Sequence, residues 1–377
     1  MPSPPSILPP HPPPPPAPLP PAHHHHPPSS LPPTSATPKT PPPPPPADDG
    51  LHAIQLRHKI SAPTFRTLTG VAPSPNRREV LHRACQAIEF RSFPMRQTER
   101  AFFRHINDHT PIAYPLAPAA SIAEPWQKVF LLVQVDVQRL GWPTKLSAEG
   151  RRLLLSERGH IYLLLDRLLR CQVDVLGHRR HGRGVVVALD VLRSVKAGVW
   201  EGADNELLQV EGIGPVKMKR LVEAGVKSIR HLAGLDFFHI ERLLSRNPPF
   251  GHQVLHRVSG FPLLSLHWDP VGHYPPTDEN RAPNSAPVPK PLFIVRLIVG
   301  YDNEKEPSWN AKSPWVTLVV EGHAGKLLWF WRGSVKRLTG GKELVVGLAA
   351  KKGEKLKVSL ACEGIVGTLV RSEHQVP

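Results

Sequence analysis

Apolar side chains recur every three or four residues from Asn76 to Val258 and every second residue beyond Phe261-Pro262. This change of period predicts a helical region followed by a β region. Val80, Leu81, Ala84, Cys85, Ala87 and Ile88 fall on one face of a first helix. A second is predicted from Thr98, read as its cap, with Phe102, Phe103 and Ile106 turned inward. The stretch 110–125 is broken by four prolines and reads as a connection, and Trp126 to Leu140 reads as a buried helix. Ser156 to Cys171, with Ile161, Leu164, Leu165, Leu168 and Leu169 at helical spacing, is predicted to be central to a bundle. Gly177 to Gly184 carries five basic or potentially basic side chains among three glycines and reads as a solvated loop. Val185 to Val199 is again helical. Ser228 and Asp236 are expected to cap two short helices, and Asn247-Pro248-Pro249-Phe250-Gly251 stops the second and opens another.

Seven strands are expected beyond residue 260: Leu263–Trp268, Phe293–Val299, Trp315–Val320, Leu327–Trp331, Leu344–Leu348, Leu356–Cys362 and Ile365–Val370. Short strands separated by Gly, Pro and Asn turns signal an antiparallel sandwich. Residues 269–291, with seven prolines and no apolar period, are expected to be a disordered loop. The fold class is therefore α + β and multidomain, with a helical bundle at 51–203, a helix-hairpin-helix and following helices at 204–260, and an immunoglobulin-like sandwich at 261–377.

Composition adds a tail and a charge gradient. The first 50 residues hold 24 of the 47 prolines and the run His23 to His26, and are expected to be disordered. Of the formal net charge of +16, about +13 falls in residues 51–260. A balance of that size favours a polyanion or an acidic protein surface as partner. Cys85, Cys171 and Cys362 are too dispersed for a disulfide framework, and Cys171 with His178 and His181 lacks the rigid scaffold a metal site needs. No metal, cofactor or catalytic residue is expected. No run of 18 apolar residues occurs, so the chain is expected to be soluble, intracellular and away from membranes.

The candidate chemistry lies in Leu207-Leu208-Gln209-Val210-Glu211-Gly212-Ile213-Gly214-Pro215. Apolar Leu207, Leu208 and Val210 are read as the end of a short helix, Gly212-Ile213-Gly214 as a tight turn, and Pro215 as the first residue of a second helix. Such a turn points backbone N–H groups out of a helix N-terminus, where phosphate oxygens bind. The expected nucleic-acid-binding set is the amides of Gly212, Ile213, Gly214, Val216 and Lys217, with Lys217, Lys219 and Arg220 adding charge. Hairpins of this kind also serve purely as packing units.

This order of parts resembles the Sec-sixty-three-like module that ends the large Ski-like superfamily-two helicases. The carriers are Glu89-Phe90-Arg91 with Met95-Arg96 and Glu99, the leucine-rich segment Tyr162 to Cys171, the Glu211 to Pro215 turn, and Leu243 to Gly251. The turn and the Asn-Pro-Pro-Phe-Gly ending are most similar to the meiotic crossover helicases of the Mer family. That resemblance implies a nuclear protein bound to DNA, with RNA the substrate of related modules and recombination or RNA-processing proteins as partners. The Gly-x-x-x-x-Gly-Lys-Ser/Thr loop of an ATP-driven motor is missing: Gly340-Gly341-Lys342-Glu343 and Gly322 to Lys326 lack its spacing and hydroxyl. The chain as written is expected neither to hydrolyse ATP nor to unwind DNA, with a motor absent or encoded elsewhere. Two functions follow: a non-motor nucleic-acid-binding module, or a protein-interaction scaffold in which the hairpin only packs.

Overall fold

The structure is a computed structural model that describes residues 49–118, 120–274 and 292–377. The disorder expected of the N-terminal tail and of residues 275–291 lies outside the described residues. The described chain is α + β, with eleven α-helices followed by two antiparallel sheets.

Two helices precede the first one predicted. They are α1 (Asp49–His58) and α2 (Ala62–Thr69). Their apolar positions are few, and only Ile54 of α1 is buried, so the pattern is faint. Next come α3 (Arg77–Cys85), where the Asn76 carboxamide accepts from the Glu79 N–H at 2.8 Å, and α4 (Gln97–His109). Thr98 is not the α4 cap. Arg96 holds that position, and Glu99 reaches back to accept its N–H at 3.0 Å. The helices α5 (Pro125–Gln138), α6 (Ala148–His178) and α7 (Gly182–Ala197) complete the bundle. At 31 residues, α6 is about 46 Å long and spans far more than its leucine-rich centre.

The glycine-rich loop predicted at 177–184 shrinks to three residues, because α6 runs through His178 and α7 starts at Gly182. The glycines serve close approach. A Cβ on Gly182 would lie 2.9 Å from the Leu327 nitrogen and 3.0 Å from the Gly325 carbonyl, and one on Gly184 would lie 2.8 Å from the Pro73 carbonyl. Leu327 N–H donates to the Arg180 carbonyl at 2.8 Å, tying this corner to the sheets.

The family-marker residues of the bundle are scaffold. Glu89 accepts from the Ser61 N–H and the Thr64 hydroxyl, and Phe90 is fully buried. Lys128, wholly buried on α5, is paired with Glu99 of α4 at 2.7 Å and Glu157 of α6 at 2.8 Å, and Arg96 closes the network. Buried charges persist only when paired in this way.

After α7 a single 3-10 turn (Glu206–Gln209) leads to α8 (Pro215–Glu223), α9 (Ile229–Ala233), α10 (Phe237–Leu244) and α11 (Phe250–Val258). The short helix expected before the glycine turn is this 3-10 turn. Ser228 caps α9 through the His231 N–H, whereas Asp236 sits at the α10 cap without a side-chain bond.

The strands are β1 (Leu264–Tyr274), β2 (Leu292–Tyr301), β3 (Trp315–Glu321), β4 (Leu327–Ser334), β5 (Lys342–Leu348), β6 (Lys355–Cys362) and β7 (Val370–Gln375). One sheet has the order β1-β2-β5 and the other β4-β3-β6-β7. Phe293, Val295, Leu297 and Val299 of β2 share one core with Val316, Leu318 and Val320 of β3 and Leu356, Val358 and Leu360 of β6. Two expectations shift. Asp269–Tyr274 belong to β1, paired with β2 through a bulge. The last strand starts at Val370, not Ile365, because Val366 packs against Ala197, Val199 and Leu208 while the Gln209 carboxamide accepts its N–H at 3.0 Å.

Candidate nucleic-acid interface

The two ends of the glycine turn are built differently. Gly212 has φ +87°, a conformation that costs an L side chain strain. Gly214 has φ −92° and ψ 179°, extended backbone open to any residue, and a Cβ there would meet nothing within 4 Å. Sequence reasoning gave both glycines the same duty. The structure requires only the first for the turn and leaves the second bare.

Ile213 points inward into the core shared with the sheets, and its N–H is spent on the Val210 carbonyl at 3.1 Å. Of the five proposed amides, then, Ile213 is committed. The N–H groups of Gly212, Gly214, Val216 and Lys217 have no backbone acceptor among the described residues, and Gly212, Gly214 and Val216 are exposed. Those of Val216 and Lys217 open the nine-residue helix α8, whose N-terminus carries partial positive charge.

The proposed cations divide as well. The Lys217 ammonium folds back over the turn, donating to the Gly212 carbonyl at 2.6 Å and lying 4.3 Å from the centroid of the Phe250 ring. Partial burial, with Arg246 and Arg257 nearby, lowers its pKa. Lys217 thus braces the turn from beneath and sets Phe250, from the Asn-Pro-Pro-Phe-Gly stretch, against it. Lys219 is exposed, 3.9 Å from Glu223 one turn on. Arg220 donates to the Leu244 carbonyl at 3.3 Å, joining α8 to the end of α10.

Two cations come from later in the chain. Arg257 of α11 donates to the Glu211 carbonyl at 3.2 Å and pairs with its carboxylate at 3.6 Å, its guanidinium lying against Gly212. Arg246, just past α10, is close enough to repel the Lys217 charge. No local pattern marks either residue as part of the turn, because folding rather than spacing brings them there. Their signals in the sequence were the positive excess of residues 51–260 and, for Arg246, its place in the Leu243 to Gly251 stretch.

The thiols offer no competing chemistry. All three are free and buried, and burial pushes Cys171 and Cys362 up to about 12. The Cys171, His178 and His181 combination forms no metal-holding group among the described residues.

A two-layer chain of this order, with a glycine turn between bundle and sheets, defines a class, and the class is a known one. The family model for the Sec63 Brl domain matches residues 53–374, and the chain belongs to that family. Among individual proteins it is similar to the ATP-dependent DNA helicase MER3 of Saccharomyces cerevisiae, 23% identical over 317 residues that cover 82% of this chain and 26% of the helicase. The ATP-dependent DNA helicase homolog MER3 of Arabidopsis thaliana is 22% identical over 55% of this chain and 18% of its own length. The probable ATP-dependent DNA helicase HFM1 of Homo sapiens is 22% identical over 58% of this chain and 14% of its own. The chain spans about a quarter or less of the length of these relatives. The likeness to the Mer family expected from the two sequence motifs is thus borne out.

Proposed function

We propose that the chain is a helicase-associated module that holds a nucleic-acid backbone at the Gly212 to Lys217 turn. In this reading the turn and its flanking helices act as a helix-hairpin-helix, and the two sheets as an immunoglobulin-like sandwich that braces it. The observation that carries the proposal is Gly214, the bare N-cap of α8 that neither backbone strain nor packing requires to lack a side chain, beside a set of N–H groups with no backbone acceptor among the described residues. A phosphate needs both features: access without a Cβ, and donors at a helix N-terminus. Lys219, Arg246 and Arg257 supply the charge around it, while Lys217 holds the turn in shape.

Binding of this kind positions the backbone and reads little sequence, so affinity falls steeply with salt. DNA is favoured over RNA because the relatives are named as DNA helicases. The resemblance of the turn and the Asn-Pro-Pro-Phe-Gly ending to the Mer family extends the reading to a non-motor part of a nuclear, meiotic crossover helicase that grips a strand which an ATP-driven motor moves.

The test is a titration of DNA against the chain and its Gly214→Val variant at two salt concentrations. Extended backbone at 214 accommodates valine but glycine caps the helix better, so the melting temperature should fall only slightly while affinity falls about tenfold, of the order set by charge-assisted bonds. Absence of DNA binding by the unaltered chain at low salt overturns the proposal.

A further inference from the structure

The stretch that follows the turn carries aromatic side chains that the core does not use. Phe237 and Phe238 open α10, and their ring centroids lie 4.0 Å apart. The imidazole of His252, in the first turn of α11, stacks on Phe237 at 3.8 Å and 26°. Three rings therefore form a row, His252–Phe237–Phe238. Neither phenylalanine belongs to the apolar core, which takes Ile240 and Leu244 from α10 and Val254 and Val258 from α11. Phe238 is 63% exposed, and His252 is exposed too.

The row is a built feature of the backbone. Gly251 packs so closely on α10 that a Cβ would come within 2.2 Å of the Phe237 carbonyl, and its N–H donates to the buried Glu241 carboxylate at 2.8 Å. That contact brings His252 onto Phe237. The same segment fixes the row to the glycine turn: Phe250 lies under Lys217, and Arg220 bonds the last carbonyl of α10. Arg242, four residues beyond Phe238 on the same helix face, is exposed and bonded to His239 at 3.1 Å, and Arg246 follows. The row is thus bordered by positive charge on the side of the turn.

We propose that His252, Phe237 and Phe238 are a stacking platform for unpaired nucleobases, so that the ligand of this region is a single strand. This rests on the reading that the glycine turn holds phosphate. A base offers a flat π-face that stacks on such rings whatever its identity, while the adjacent cations take the backbone. A base-paired duplex keeps its faces inside and cannot use the platform.

The experiment compares the 377-residue chain with its Phe238→Ala and Phe238→Trp variants. Each is titrated by fluorescence anisotropy with a single-stranded DNA, the matching duplex, and a strand of equal length and charge carrying abasic sites. One lost base–ring contact should weaken single-strand binding by Phe238→Ala about tenfold and leave duplex binding unchanged. Phe238→Trp should retain the affinity, which separates stacking from a general effect of substitution. Removing the bases should weaken the unaltered chain by a similar factor and Phe238→Ala hardly at all. Equal affinity of the unaltered chain for normal and abasic strands, or a Phe238→Ala variant that binds the single strand fully, overturns the platform while leaving the phosphate-binding turn standing. Failure of the unaltered chain to bind any of the three DNAs removes the parent reading instead.

Discussion

The sheets meet helices at two joints, and only one of them adds buried charge to apolar packing. The bundle joint packs Val319 and Leu327 into the bundle core and Val366 against Ala197, and adds buried charge to that packing. Arg193 of α7 is buried, pairs with Asp190 at 2.5 Å and with Glu201, and donates to the Cys362 carbonyl of β6 at 3.3 Å. Glu363, beyond β6, is held by Arg170 of α6 and Arg332 of β4. The small helices after the turn meet the sheets through oil: Ile213, Leu221, Val226, Ile229 and Ile240 join Phe261, Leu264 and the β2, β3 and β6 interiors in one continuous cluster. Burial of apolar area is strong but indifferent to direction, whereas paired charges tolerate only a few arrangements. The first joint therefore sets orientation, and the second sets the stability of the element that carries the turn.

Substitutions should separate the two joints. The largest effect is expected from Arg193→Leu, which strands Glu201 without a cation among the described residues. Losing one partner of a buried pair costs about 3–5 kcal/mol, read as a drop in denaturant midpoint; a loss below about 1 kcal/mol would mean the charges are incidental. Ile213→Ala should follow at about 2–4 kcal/mol through cavity formation, with DNA affinity falling as well because the turn loses its anchor. If stability falls while affinity is untouched, the turn does not depend on the apolar joint.

The smallest effect is the response to acid, and it should have opposite signs in the two regions. Burial alone would raise the Glu157 carboxyl, but the hydrogen bonds and charges of Arg96 and Lys128 outweigh it and hold the group below its ordinary 4.5. A depressed carboxyl stabilises fully above its unfolded value and loses that contribution as pH falls through its folded one. The bundle should therefore weaken below about pH 4.5. Glu206, which accepts the Ile229 N–H at 2.8 Å beside the turn, is raised by burial, an effect the bond offsets only in part. Its contribution is present at low pH and is lost as pH climbs through the raised value. Melting temperatures across pH 3–7 for Glu157→Gln and Glu206→Gln check this, each flattening one limb of the profile; parallel profiles would sink the distinction.

Much of this was legible in the sequence where a side chain reports its own surroundings. The 3-4 spacing of α3 to α7 and the alternation of β2 gave element type and core face, whereas β3 is buried on both faces, Val319 against the bundle. The Glu211 to Pro215 turn was legible because glycine and proline constrain φ directly. What stayed hidden depends on partners distant in sequence. Gly182 and Gly184 read as loop because spacing alone does not reveal Leu327 or Pro73 pressing on a helix. Val366 read as strand because its apolar character does not say whether a sheet or the end of α7 buries it, and Ile365 because it fills the sheet core without belonging to a strand. Lys217 could not be read as a neighbour of Phe250, because that contact exists only once α11 has docked. For the same reason Arg246, Arg257 and the ring row escaped a reading that went motif by motif.

The corner at Gly182 also has a mechanical consequence. Bundle and sheets approach there main chain to main chain at Gly182, with the Arg183 side chain against Gly325 and the Leu327 side chain set into the bundle core beside it. Close-packed matter of this kind transmits strain instead of absorbing it. A force applied to α7 should therefore reach the β3–β4 connection with little loss, coupling the motion of the two.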